Sequence, residues 1–321
     1  MNSQRSIKHI TLLERLKMST KPTIGVAIIT HNAKQHLPHC LPPVLQSPLK
    51  PRILVVNSSS SDGTVEMAGS FGAETLVIPR KEFNHGTTRE KARSHLNTDI
   101  VVMLTPDAYL NDLHTLEKLI EPIVTGKAAV AYGRQVPHLG ADFFESFPRE
   151  YNYPENSHIR GLTDMGTYGI YTFFCSDSCA AYSNAALDEI GGFDRVLLGE
   201  DTVAVAKILR RGYKIAYVAE AQARHSHRYS LKEEFCRSFD TGLARKGYAD
   251  LLACCSGDTR RGMGYSQKMA AALIKDSPML LPYAFAHLLA KWVGYRIGKR
   301  SVNAPLWLKK TLSTQDFYWN T

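Results

Sequence analysis

The chain has 321 residues, of which 44% are apolar, and it carries a net charge of +9 at neutral pH. This length and apolar content are sufficient for one large hydrophobic core and exclude a mainly disordered chain. The six cysteines lack the paired spacing of a zinc site or a secreted disulfide framework. Residues 1–20 are polar and basic without a signal-peptide-like apolar stretch, so we expect a cytoplasmic protein with reduced thiols.

The positive charge is concentrated in the C-terminal third of the chain. From Ser230 onward there are 14 Lys and Arg residues but only seven Asp and Glu residues. A basic surface attracts phosphate, whether this belongs to nucleic acid, to anionic lipid or to a diphosphate-linked substrate. Charge alone does not distinguish these three partners.

Short β-branched runs alternate with helix-like stretches in the first third of the chain. The runs are Thr23–Thr30, Ile53–Val56, Thr75–Ile78 and Ile100–Leu104, and residues 89–96 have a helical pattern. This alternation predicts a doubly wound α/β sheet, in which ligands bind at the carboxyl ends of the strands.

Polar residues follow these predicted strands, where a ligand would bind. They are Thr30, His31 and Asn32, then Asn57, Ser58 and Asp62, then His85, and finally Asp107. Residues 58–64 alone are equally typical of a turn and a helix N-cap. No Gly-x-Gly-x-x-Gly follows the first strand and no Walker-type Gly-Lys-Ser/Thr occurs, which disfavours a dinucleotide dehydrogenase or a P-loop nucleotidase.

The segment from Pro137 to Tyr171 is rich in aromatic and polar residues and has no regular period, so we predict an extended loop. Its tyrosines either form a sugar-stacking platform or only hold the loop in place. These tyrosines are Tyr151, Tyr153, Tyr168 and Tyr171. Further along the chain we predict a helix over 202–211, a strand over 213–221 and helices from residue 230.

The acidic pair Glu200 and Asp201 is the strongest chemical signal in the sequence. Together with Asp107 it supplies a general base and a metal carboxylate on separate loops, as nucleotide-sugar chemistry requires. The alternative is an acidic helix start, which stabilises the helix dipole by a few tenths to about 1 kcal/mol. Both interpretations are compatible.

From Pro22 to Ser230 the order of motifs resembles the inverting family 2 glycosyltransferases with the GT-A fold. Within that family it is most similar to the rhamnosyltransferases of bacterial surface polysaccharide. The motifs that carry the resemblance are Phe83–Arg89 (FNHGTTR), Leu104–Ala108 (LTPDA), Tyr132–Pro137 (YGRQVP), His225–His227 and the tail Leu312–Trp319. The resemblance implies a Rossmann-like, mostly parallel sheet flanked by helices, with a helical C-terminal extension. We therefore expect a basic segment (1–21), a glycosyltransferase domain (22–229) and a basic helical region (230–321).

The resemblance also implies the residues that surround the nucleotide-sugar donor. They are Thr30, His31, Asn32, Asn57, Ser58, Asp62, His85, Arg89, Thr105 and Asp107. Asp107 and His225 would bind a divalent cation, Mg²⁺ or Mn²⁺, and His227 is a weaker candidate. Thr105 replaces the first Asp of the usual Asp-x-Asp motif, and Asn57 replaces an Asp that usually helps to recognise the pyrimidine base.

By the same resemblance Asp201 is the general base of a single inverting displacement, and Glu200 orients the acceptor or the helix start. Arg134 and Asp177 are the expected acceptor contacts. The favoured donor is dTDP-rhamnose, and the acceptor is a glycan or a lipid-diphosphate-linked glycan of O-antigen-like surface polysaccharide. One alternative is a transferase of a UDP-hexose or UDP-N-acetylhexosamine. A basic nucleic-acid-binding protein is a second alternative, which leaves Asp107 and Asp201 unexplained.

The uncharged stretch Ser277–Ala290 has 14 residues and is too short to span a bilayer. Lysines, arginines and tryptophans follow it closely. Two interpretations stay open. The C-terminal helices form either an interfacial element on the cytoplasmic face of the inner membrane or a basic cap on the catalytic domain or on another subunit of a homo-oligomer.

Overall fold

A computed structural model describes residues 21–252 and 258–319. The strands are β1 (Ile24–Thr30), β2 (Arg52–Asn57), β3 (Glu74–Val77), β4 (Ile100–Leu104), β5 (Tyr109–Leu110), β6 (Val130–Val136), β7 (His158–Arg160), β8 (Cys179–Ser183) and β9 (Ile215–Arg224). The helices of the first part are α1 (Leu37–Leu45), α2 (Thr64–Ser70), α3 (His85–Leu96), α4 (Thr115–Val124), α5 (Phe143–Asn152), α6 (Met165–Tyr168), α7 (Asn184–Glu189) and α8 (Glu200–Arg210). The C-terminal helices are α9 (Leu231–Gly247), α10 (Asp258–Asp276), α11 (Leu281–Arg300), α12 (Leu306–Leu312) and α13 (Asp316–Trp319).

The strands form one mixed sheet in the order β3-β2-β1-β4-β8-β6-β9-β5, with β7 paired to β9. The first four positions, β3-β2-β1-β4, are parallel, as the alternation in the sequence predicts. Beyond β4 the sheet departs from the predicted mostly parallel pattern, because β8 runs antiparallel to both β4 and β6. The predicted α/β class is confirmed, with a parallel half that ends at β4.

Hydrophobic layers cover both faces of this sheet. Alternate residues of β1 and β2 enter opposite layers: Ala27 and Leu54 lie in one, Val26 and Val55 in the other. Because both faces are covered, the strands are buried along nearly their whole length, which explains their continuous β-branched runs. The sheet edge where these strands end is thereby held rigidly.

The prediction of an extended loop over 137–171 is wrong. Helix α5 occupies residues 143–152, and it begins at a capping box in which Asp142 and Glu145 satisfy each other's backbone N–H groups. Phe147 packs from α5 against Met269 of α10. The helical period is hard to recognise in the sequence because polar and aromatic residues are mixed and Pro148 lies within the helix.

The predicted helical C-terminal region is confirmed, and its helices pack at very short range. Residues 235 and 239 of α9 face residues 294 and 298 of α11, so the two helices run in the same direction. An added Cβ at Gly298 would lie 2.0 Å from the carbonyl oxygen of Phe239, and one at Gly294 would lie 2.3 Å from that of Phe235. Only glycine allows the two backbones to approach so closely.

The chain then returns from this helical region to the sheet. The backbone N–H and the hydroxyl of Thr314 both donate to Asp240 Oδ2 at 2.8 Å. The ring of Phe317 in α13 packs edge-on against Phe83, with centroids 4.8 Å apart, and also against His85. The tail therefore joins α9 to the start of α3. Of the helices in the described ranges, none combines the length and the apolarity that crossing a bilayer needs.

We predict that Gly298→Ala lowers the free energy of unfolding by about 1–3 kcal/mol, because the new methyl group would force α9 and α11 apart. Gly262→Ala on α10 is the matched control: its added Cβ meets nothing within 4 Å, and alanine is the better helix former. Chemical denaturation followed by circular dichroism measures both variants. Equal midpoints for the two variants would contradict the close packing.

Candidate active site

Three potential metal ligands converge where β4 and β9 end. The Nε2 atoms of His225 and His227 lie 3.5 and 3.3 Å from Asp107 Oδ2, and they lie 3.0 Å from each other. Ligand atoms about 3 Å apart suit a common ion when each metal–ligand bond is about 2 Å long. The structure thus brings together Asp107 and His225, as predicted, and gives His227 an equal place.

A hydrogen-bond chain orients the first histidine of this cluster. The Nδ1 atom of His225 lies 3.0 Å from Gln135 Oε1, while Gln135 Nε2 donates to Ser176 Oγ at 2.8 Å. Because the amide N–H of Gln135 is engaged by Ser176, its oxygen accepts from the Nδ1–H of His225. When this ring is neutral, its Nε2 lone pair is therefore directed at the cluster. Sequence reasoning missed Gln135, although it stands in the YGRQVP motif.

The protonation states of the cluster suit a cation. Burial alone would raise the pKa of Asp107, but hydrogen bonding and charge from His225, with a smaller contribution from His227, hold that pKa well below its usual range. Burial, assisted by repulsion from His225, lowers the pKa of His227 to about 4. At neutral pH an ionised carboxylate therefore faces a neutral imidazole, which are the forms that bind a metal.

A second polar cluster is centred on Arg89 of α3. Its Nη1 lies 2.6 Å from Glu200 Oε1 and its Nε lies 2.9 Å from Asp177 Oδ2, and all three side chains are buried. Asp177 also accepts a hydrogen bond from Tyr182 Oη at 2.6 Å. Arg89 and Asp177 thus contact each other, while their predicted contacts with nucleotide and acceptor stay predictions.

The acidic pair begins helix α8 after a glycine turn. Gly199 has a φ of +84°, a backbone conformation that residues with a side chain rarely adopt, and an added Cβ would lie 2.5 Å from Tyr248 Oη. The turn directs Glu200 to Arg89, and Asp201 accepts a hydrogen bond from the Thr202 N–H at 2.6 Å. Both acidic residues line the cavity described below.

The environment separates the acidities of the neighbouring carboxyl groups. Burial would raise the pKa of Glu200, but Arg89 and then His85 outweigh it and lower that pKa. Burial raises the pKa of Asp201 well above its usual value, and repulsion from Glu200 and Asp177 adds to this effect. Burial also raises the pKa of Asp177 to about 6, against the opposing effect of Arg89. Within the acidic pair, Asp201 is therefore the carboxylate with the greater affinity for a proton.

One cavity of about 670 Å³ connects the two clusters. Eight of the predicted site residues line it: His85, Arg89, Thr105, Asp107, Asp177, Glu200, Asp201 and His225. The C-terminal region supplies residues that sequence reasoning did not place in the site: Glu234, Arg237, Thr241, Arg245, Tyr248, Lys291 and Gln315. Of these residues only Gln315 stands in a motif noted in the sequence, the tail Leu312–Trp319.

Six predicted donor residues lie outside the lining of this cavity, at the ends of β1 and β2. They are Thr30, His31, Asn32, Asn57, Ser58 and Asp62. Hydrogen bonds join the two loops, with His31 Nδ1 2.9 Å from the carbonyl oxygen of Ser58 and the Asn32 N–H donating to Ser60 Oγ. Because β1 pairs with β4, these loops share the sheet edge with Asp107.

The remaining predicted residues, Arg134 and the four tyrosines, are spread over four places. Arg134 forms an ion pair with Glu155 at 3.3 Å and does not line the cavity. Tyr151 and Tyr171 line a side groove of about 290 Å³ that shares Thr202 with the cavity. Tyr153 is buried in the core at the wall of the catalytic cavity, and Tyr168 stacks on His158 with ring centroids 5.3 Å apart.

The sequence of the chain matches one family model and is similar to two proteins of known name. The Glycosyl transferase family 2 model matches residues 25–191. The O-antigen chain rhamnosyltransferase RfbN of Salmonella typhimurium is 34% identical over 301 residues, which cover 92% of this chain and 96% of that protein. The O-antigen chain rhamnosyltransferase WbaN of Salmonella anatum is 35% identical over 271 residues, covering 84% of this chain and 86% of that protein.

Solved structures support the same fold at low sequence identity. The mannosyltransferase PcManGT from Pyrobaculum calidifontis, in complex with GDP-Man and Mn²⁺, superposes with a TM-score of 0.60 at 15% identity over 87% of this chain and 88% of that chain. S. aureus TarS 1–349 in complex with UDP-GlcNAc gives 0.52 at 13% identity over 88% and 91%. Since the family model spans more than half of the residues and both Salmonella relatives align over most of the chain, this protein belongs to glycosyl transferase family 2 and is a glycosyltransferase.

Proposed function

We propose that the protein transfers rhamnose from dTDP-rhamnose, with inversion, to a hydroxyl group of a glycan or lipid-diphosphate-linked acceptor in O-antigen synthesis. The observation that carries the chemistry is one cavity lined by both the Asp107, His225 and His227 cluster and the high-pKa carboxyl of Asp201. The choice of sugar and pathway is supported by the two Salmonella relatives, which are O-antigen rhamnosyltransferases.

In this proposal Asp201 is the general base. Its carboxylate takes the proton of the acceptor hydroxyl while that oxygen bonds to the anomeric carbon, and the bond from that carbon to the diphosphate oxygen breaks on the opposite face. The raised pKa of Asp201 makes it a stronger proton acceptor than an ordinary carboxylate. Glu200 is less suited to the role because Arg89 stabilises its ionised form.

The residues that would hold a divalent cation are Asp107, His225 and His227. When bound, such a cation neutralises the charge that grows on the departing nucleoside diphosphate. Two imidazoles and a single carboxylate are a softer donor set than the oxygen ligands that Mg²⁺ prefers. We therefore propose Mn²⁺ as the better cofactor, in line with the Mn²⁺ in the related mannosyltransferase structure.

The donor base is proposed to lie at the ends of β1 and β2. Asn57 is buried there: its amide oxygen accepts a hydrogen bond from Thr30 Oγ1, while its Nδ2 has no partner among the described residues. The N–H of an uncharged amide can donate a hydrogen bond to a carbonyl oxygen of thymine or of uracil. The donor assignment consequently depends on the relatives, and UDP-hexoses and UDP-N-acetylhexosamines are the alternatives to test.

We expect dTDP-rhamnose with Mn²⁺ to raise the melting temperature, and UDP-glucose, UDP-N-acetylglucosamine and GDP-mannose to have little effect. Asp107→Ala should abolish the part of this rise in melting temperature that depends on Mn²⁺, because it removes the carboxylate of the Asp107, His225 and His227 cluster. Glu121→Ala, an exposed acidic residue on α4, is the control. Thermal shift and turnover assays over this donor panel measure the effect, and stabilisation by a UDP-sugar alone would reject the rhamnose assignment.

We predict that Asp201→Asn lowers kcat by about 10²–10⁴-fold, the usual contribution of a positioned base, with little change in donor affinity. Asp188→Asn, an exposed acidic residue on α7, serves as the control and should retain full activity. Steady-state kinetics and a donor-binding titration separate the two effects. Retention of near-normal kcat by the Asp201 variant would reassign the base.

The raised pKa of Asp201 also predicts a pH profile. The base acts in its deprotonated form, so activity should fall as the pH decreases through this pKa, at a higher pH than an ordinary aspartate would give. Asp177→Asn removes one repelling charge and should move this acidic limb down by about one pH unit. The dependence of kcat/KM on pH tests this, and an acidic limb unmoved by that substitution would contradict the coupling.

We predict that His227→Gln shifts metal preference from Mn²⁺ towards Mg²⁺, because an amide oxygen replaces an imidazole nitrogen in the cluster. The ratio of activity with Mg²⁺ to activity with Mn²⁺ should rise several-fold, whereas His95→Gln on the exposed side of α3 should leave it unchanged. Metal titrations of turnover provide the measurement. An unchanged ratio would remove His227 from the proposed ligand set.

A further inference from the structure

Helix α11 presents two different faces. Residues at positions 284, 287, 294 and 298 are buried, and the two glycines among them contact α9. The opposite face carries Phe285, Leu289 and Trp292, spaced by four and three residues, so that they lie in one stripe. Phe285 is 69% exposed and Trp292 is 58% exposed, so this stripe has no partner among the described residues.

Exposed apolar side chains are concentrated in this part of the protein. Twelve of the 18 large hydrophobic residues that are exposed in the described ranges lie between Met263 and Trp307. Met279, at the turn before α11, is 90% exposed, and Trp307 in α12 is 66% exposed. A soluble protein rarely leaves so much apolar surface in one region without a binding partner.

Positive charge continues the same stripe. After Trp292 the helix presents Arg296, Lys299 and Arg300 to solvent, and the guanidinium of Arg296 lies 5.2 Å from the centre of the Trp292 ring. From Ser277 to Gln315 the sequence contains six Lys and Arg residues and no Asp or Glu. Bulky apolar groups flanked by long cationic side chains are typical of elements that lie at the surface of an anionic bilayer.

The charge also disfavours a second copy of the chain as the partner. A symmetric dimer through this face would place the same cations of both copies opposite one another without any acidic residue from the segment to compensate them. Anionic lipid headgroups supply the missing negative charge, while their acyl chains receive the aromatic and aliphatic groups.

We propose that the exposed stripe of α11, formed by Phe285, Leu289, Trp292, Arg296, Lys299 and Arg300, docks the enzyme on an anionic membrane surface. Lys291 of the same helix lines the catalytic cavity and lies 3.5 Å from Glu234 of α9, so the width of α11 separates the docked stripe from the cavity. The binding depends on the lipid surface itself and therefore stands independently of which sugar the enzyme transfers.

Flotation of the full chain with vesicles tests the proposal. One set of vesicles contains phosphatidylcholine alone and the other contains equal amounts of phosphatidylcholine and phosphatidylglycerol. We expect binding to the anionic vesicles that weakens with added salt, as the positive residues require. The affinity for the anionic vesicles should fall at least tenfold in a double variant with Phe285→Ser and Trp292→Ser. We expect the same loss in a triple variant with Arg296→Gln, Lys299→Gln and Arg300→Gln.

The matched controls are an exposed apolar residue on the edge strand β3, Val77→Ser, and the exposed lysines of Lys118→Gln with Lys127→Gln. Both should bind vesicles like the unaltered protein. Circular dichroism melting establishes that each variant is folded. Failure of the unaltered protein to bind anionic vesicles would overturn the proposal, as would a dimer in size-exclusion chromatography that only the Phe285 and Trp292 substitutions dissociate.

Discussion

The buried guanidinium of Arg89 is the constraint on which the site depends. A fully buried cation is costly unless carboxylates surround it, and Arg89 is held by Glu200 from α8 and by Asp177 from the segment before β8. This pairing fixes three separate elements, α3, α8 and β8, relative to one another. Burial raises the pKa of the neighbouring Asp201, which lines the catalytic cavity, and the negative charges of Glu200 and Asp177 add to this effect.

Much of the first half of the fold could be predicted from the sequence because its signals are local. The β-branched runs of β1, β2 and β4 are buried on both faces, and such runs have few alternative structures. The direction of β8 was not predictable, since Cys179–Ser183 is equally compatible with parallel and antiparallel pairing. Helix α5 escaped recognition because its apolar period is interrupted by proline.

The site shows the same division between local and long-range information. The sequence motifs identify Asp107, His225 and Asp201 as site residues, whereas the role of Gln135 depends on its contact with His225, 90 positions away. The contribution of Lys291 and Gln315 to the cavity arises from tertiary packing, which no local pattern encodes. The family assignment also removes the nucleic-acid-binding alternative, since the basic charge now belongs to a glycosyltransferase.

The returning tail has a consequence for how the protein can be divided. Gln315 lines the cavity, and Phe317 covers the ring of His85, which lines the same cavity from α3. A fragment that ends at residue 229 would keep every motif of the catalytic domain yet expose the aromatic surface around Phe83 and lose one wall of the site. The smallest piece able to retain a complete active site thus extends beyond residue 317, so expression tags and fusions are better placed at the amino terminus.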